Sequence, residues 1–156
     1  MTTTYQSATA DLIGAIDRVV ENWLLRVAVD LYRAHRGDVD PEFLESATAA
    51  AREGGRWTVE RLRSTLEVDV DAQRVNPLQT LREAVRFPSE VLRTAGVPSI
   101  VRDEYDERIN PDDIYGIGPA HWNDIDESLT EPGIIWGAAK ASTVLQRRRA
   151  EGKLDS

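Results

Sequence analysis

Cysteine is absent from the 156 residues, histidine occurs twice and methionine once. The first absence removes disulfide scaffolds, thiol nucleophiles, zinc fingers and iron–sulfur ligation together. Two histidines cannot build a three-histidine metal site, and no H-E-x-x-H or G-x-S-x-G signature occurs. Long apolar runs are missing too: the least polar stretch, Gly133 to Ala139, ends at Lys140 and cannot span a bilayer, so no membrane partner is expected. The N-terminal Met1-Thr-Thr-Thr-Tyr5 has neither a basic region nor an apolar one, which leaves a cytoplasmic location as the expectation. Lysine is scarce: seventeen of the nineteen basic residues are arginine. That bias fits a GC-rich, bacterial type of coding sequence and is not read as arginine chemistry.

What remains is ordinary globular material, 41% hydrophobic and 29% charged, of a length that makes one helical domain over residues 1–156. The net charge of −8 argues against a nucleic-acid partner.

Helical periodicity dominates. Leu12, Ile16, Val20, Trp23, Val27 and Leu31 recur every three or four residues, which predicts a helix over 8–36. Ser7, Thr9 and Asp11 are candidate N-caps, and Gly37 is a candidate stop. Asp40-Pro41 opens a second helix running to 67, with a stripe of Leu44, Ala47, Ala51, Gly54, Thr58, Leu62 and Leu66 joined by Phe43, Ala50 and Trp57. The short connection makes the two an antiparallel hairpin. Gly54-Gly55 marks a kink, a break or a close helix crossing. A third helical stretch starts at Asn76-Pro77, meets Pro88 and ends at Gly96. A last helix is expected over 132–149, capped by Thr130, with Ile135, Ala138, Ala139, Ser142 and Leu145 as its buried face. The only extended pattern is Val97 to Val101. The fold class is therefore all-α: an antiparallel bundle of about four helices built on a long hairpin, with a long acidic loop before the last helix.

That loop, residues 102–131, holds ten carboxylates against two arginines and so accounts for the whole net charge. Asp103, Glu104, Asp106, Glu107, Asp112 and Asp113 form a candidate interaction surface for a basic protein partner. The same carboxylates could stabilise the fold by holding a divalent cation, although their spacing does not match an EF-hand, or could simply be solvated surface. His121, Trp122, Tyr115 and Asp124 are candidates for the lining of a small-ligand or catalytic pocket between the loop and the bundle. The alternative for His121 is a loop histidine bonded to backbone or to a neighbouring carboxylate. Gly116-Ile-Gly118-Pro119 lacks the Lys-Ser/Thr of a phosphate loop and is discarded. Arg82, Arg86, Arg93 and Arg102 could clamp the loop to the bundle. No catalytic motif, resident cofactor or metal site is indicated. The expectation is an interaction or accessory module that acts through its acidic loop or long helices, with a homo-oligomer also open.

Overall fold

Thr4 begins the first helix: its hydroxyl accepts from the Ser7 N–H at 3.1 Å, which caps α1 (Tyr5–Arg36) a few residues ahead of the expected start. Gly37, at φ 79, ends it with its own N–H on the Arg33 carbonyl. Asp40 then caps α2 (Pro41–Leu66) through the Glu42 N–H at 3.1 Å, with proline in the first turn. Asn76 does the same for α3 (Pro77–Ala84), which one residue, Val85, separates from α4 (Arg86–Thr94). Pro88 accounts for that break: it has no N–H for the Ala84 carbonyl and its ring crowds that oxygen. Two 3-10 turns, Trp122–Asp124 and Glu127–Leu129, precede α5 (Thr130–Ala150). This computed structural model describes residues 4–67, 76–99 and 113–152. No strand occurs among them, and Val97 to Ser99 are not extended into one.

The architecture is the all-α bundle, with α1 as its axis. Helix α1 packs against α2, α4 and α5, and α2 also touches α3 and α4. Leu12, Ile16, Val20 and Trp23 are buried as the periodicity requires, and so are Ile13, Leu24 and Ala28, because neighbours cover α1 on several sides. Gly54 and Gly55 do not break α2, which runs unbroken from Pro41 to Leu66. A Cβ on Gly54 would stand 2.8 Å from Leu24 Cδ1 and 3.1 Å from the Phe87 ring, so the pair permits a close helix crossing. Thr58, fully buried beside it, donates its hydroxyl to the Gly54 carbonyl at 2.7 Å.

Apolar residues form two cores. The larger runs from Tyr5 to Leu24 on α1 and takes in Leu62, Leu66, Leu81, Ile125, Leu129 and Trp136. The smaller lies at the turn end of the hairpin and gathers Ala28, Tyr32, Phe43, Ala47, Leu92, Val97 and Tyr115. In α2, Phe43 is buried as expected, but Leu44, placed on the expected stripe, is left exposed. The last helix departs further. Its buried residues are Gly133, Trp136 and Ala139, while Ile135, Ala138, Ser142 and Leu145 face outward. Thr130 is its first helical residue and does not cap it. Helix α5 has apolar residues all round, so periodicity alone cannot choose its inner side. Trp136, against Tyr5 at 6.2 Å, supplies the largest inward contact. No helix among the described residues is long and apolar enough to cross a membrane.

Candidate functional site

The turn between α1 and α2 brings two aromatic residues together. Tyr32, in the last turns of α1, stacks on Phe43, at the start of α2, with centroids 4.1 Å apart and planes at 25°. Both are buried and form the floor of an open groove of about 480 Å³ between these helix ends and α4. Asp40, Glu42 and Glu90 stand on the rim against one guanidinium, Arg36. Arg36 reaches across to the Gly96 carbonyl at 3.5 Å, which ties the end of α1 to the end of α4. Asp40 is also the α2 cap, and Glu90 pairs with exposed Arg93 at 3.5 Å. The groove combines an aromatic base with an acid-rich edge, chemistry that suits a cationic group on an apolar stem.

A second cavity, of about 240 Å³, lies at the opposite end of α1, between Tyr5, Thr9, Leu66, Thr143 and Arg147. The Tyr5 hydroxyl donates to the Leu66 carbonyl at 3.0 Å. Burial pushes its phenol above the ordinary tyrosine range, and the nearby polar atoms of Thr9 and Trp136 offset part of that rise. Thr9 Oγ1 and Trp136 Nε1 are themselves buried without a hydrogen-bond partner among the described residues.

His121, Trp122 and Asp124 share one 3-10 turn, and the four expected pocket residues differ in their surroundings. Tyr115 is buried in the smaller core, and its hydroxyl donates to the Val97 carbonyl at 3.1 Å. Trp122 is half-buried beneath α5, where a Cβ on Gly133 would come within 2.5 Å of its Nε1. His121 is exposed. Asp124 accepts the N–H groups of Ala120 and His121, each at 2.9 Å, so it organises the backbone of the turn.

Of the candidate interaction carboxylates, Asp103, Glu104, Asp106, Glu107 and Asp112 lie outside the described residues. Asp113 is buried, 3% exposed, and offers no surface. Its Oδ1 accepts the Tyr115 N–H at 3.3 Å and its Oδ2 accepts the Gly118 N–H. The Gly116–Gly118 turn therefore does wrap an anion, and the anion is the chain's own carboxylate. A Cβ at Gly118 would come within 2.8 Å of Asp113 Oδ2, so a larger residue there would displace the carboxylate. Among the described residues, no group of three or more histidines and carboxylates is placed to hold a metal ion.

The clamp exists in a different form. Arg82 donates from Nε to the Pro119 carbonyl at 2.8 Å and from Nη2 to the Ala120 carbonyl at 3.5 Å. Arg26 donates to the Ile125 carbonyl at 2.8 Å. Both arginines hold the backbone of the segment. Arg86 lies over the Trp57 ring at 4.4 Å, and Arg102 falls outside the described residues.

Sequence reasoning missed the groove. Its signal was two aromatic residues bracketing a four-residue turn rich in acid, Gly37-Asp-Val-Asp40, but charge counting drew attention to 102–131 instead. No family model, characterised protein or solved structure matches this chain.

Proposed function

We propose that the chain is a cytoplasmic, non-enzymatic interaction module that docks a basic protein segment at the turn end of its long hairpin. One observation carries the reading: the groove over stacked Tyr32 and Phe43 has a rim on which Asp40, Glu42 and Glu90 outnumber Arg36. An arginine or lysine side chain satisfies both parts, its stem on the rings and its charge among the carboxylates. The net charge of −8 draws the same class of partner over longer range and repels nucleic acid. Asp103, Glu104, Asp106, Glu107 and Asp112 belong to the same reading as a second contact for a basic partner.

The test compares two baits, the wild-type chain and Glu42→Lys/Glu90→Lys, each exposed to extract from the source cells and eluted with rising salt. The expected result is a protein retained by the wild type at low salt, released as salt screens the contact, and missing from the reversed-charge bait. Equal retention on both baits sinks the groove reading.

A further inference from the structure

The outward face of α5 carries a sequence that is chemically complementary to itself in reverse. Glu131, Ile134, Ala138, Ala141, Leu145 and Arg148 follow one another at spacings of three, four, three, four and three, and all six are exposed. That alternation is the seam spacing of paired helices. The seam lies on the side of α5 opposite Gly133, Trp136 and Ala139, which meet the core. Ile134 is 65% exposed and Leu145 45%, so folding of one chain leaves the two largest apolar members in water.

We propose that this face pairs with the same face of a second copy, antiparallel, about a two-fold axis between Ala138 and Ala141. An axis there sets Glu131 against Arg148 of the second copy, Ile134 against Leu145, and Ala138 against Ala141, and symmetry makes each pairing twice. The charges select this arrangement. One end of the seam is acidic and the other basic, with Arg147 and Arg149 beside Arg148, so reversal matches opposite signs while parallel pairing sets Glu131 on Glu131 and Arg148 on Arg148. Antiparallel helix dipoles favour the same choice. Alanines at the centre let the axes approach toward the close end of the usual ~8–10 Å. From Glu131 to Arg148 the seam runs about 26 Å. The groove at the hairpin turn is built from α1, α2 and α4, so the two surfaces are separate.

Sedimentation over a wide concentration range in low salt tests the pairing. The wild-type mass should rise from one chain to two. Ala141→Glu, which sets a carboxylate in the centre of the seam, should weaken the dimer about tenfold or more without moving the far-ultraviolet dichroism or the melting temperature of the dilute chain. Glu131→Arg and Arg148→Glu should each weaken it, and the double swap should restore it to within about twofold of wild type, because both cross-pairs regain opposite signs. The chain has no cysteine, so Ala138→Cys and Ala141→Cys proteins mixed together should cross-link faster than either alone. A chain that stays monomeric throughout overturns the proposal. So does a dimer indifferent to Ala141→Glu, or a double swap whose losses add instead of cancelling. Equal cross-linking of the single and mixed cysteine proteins overturns the register.

Discussion

The segment 113–129 and the helix that follows it exchange the roles their compositions suggest. The segment holds four carboxylates, two glycines and a proline, yet it buries Tyr115, Ile125 and Leu129 and is held by Arg82 and Arg26. Helix α5 carries four alanines and a run of apolar residues from Ile134 to Trp136, yet it leaves Ile134, Ile135 and Leu145 exposed. The difference shows that charge count does not measure exposure. A few well-spaced apolar anchors secure an acidic stretch whose carboxylates cap turns, while a helix that is apolar all round can satisfy only one side within its own chain.

The strongest way to break that comparison is to remove equal apolar bulk from each region. Ile125→Ala should lower the unfolding free energy by about 2–5 kcal/mol, because a residue with no exposed surface leaves a cavity. Ile134→Ala, measured at concentrations where the chain is monomeric, should change it by less than ~0.5 kcal/mol. Urea melts of the two variants read the contrast directly. Similar losses at both positions would mean that the segment is not part of the core or that α5 is covered within the chain.

The hairpin, its stop and the caps of α2 and α3 were legible because each depends on local chemistry, Gly37 at positive φ, Asp40 before Pro41 and Asn76 before Pro77, whereas α1 is capped by Thr4 and not by Ser7, Thr9 or Asp11. The inner side of α5 was not, since the choice between Trp136 and Ile135 is made by what α1 offers, namely the ring of Tyr5. Nor was the role of Asp113. A carboxylate that accepts from N–H groups two and five residues onward is indistinguishable in sequence from one in water. The groove required the stacking of residues on different helices, Tyr32 and Phe43, and that depends on how the turn closes.

Two glycines one helical turn apart on α5 sharpen the comparison at smaller amplitude. A Cβ on Gly133 would fall 2.5–2.8 Å from atoms of the Trp122 indole, a rigid group of the packed segment. Gly133→Ala should therefore destabilise by about 1–3 kcal/mol despite the better helix propensity of alanine. Gly137 has nothing within 4 Å of its would-be Cβ, and Gly137→Ala should stabilise by about 0.4–1 kcal/mol. Thermal melts at one low protein concentration give both signs. A stabilising Gly133→Ala would mean that Trp122 is free to move aside and that the segment is loosely held.

The smallest effect concerns the acid limb of stability, where Asp126 of the segment should act. Ser128, through its hydroxyl and its backbone N–H at 2.9 Å, holds the Asp126 carboxyl below the ordinary carboxylate range, and the Arg26 guanidinium adds to this. A folded-state pKa below the unfolded one means that the unfolded chain takes up the proton first as pH falls. The contribution is complete at neutral pH, begins to fade near pH ~4 and is gone below the depressed value. Asparagine caps a turn as well as aspartate but does not titrate. Asp126→Asn should therefore leave stability at pH 7 nearly unchanged while flattening the loss as pH falls below about 4. An acid limb identical to that of the wild type would mean that the Asp126–Ser128 cap does not persist in solution. The segment would then be fastened by Ile125, Leu129 and the two arginines alone, and its resemblance to a free acidic surface would be closer than its burial suggests.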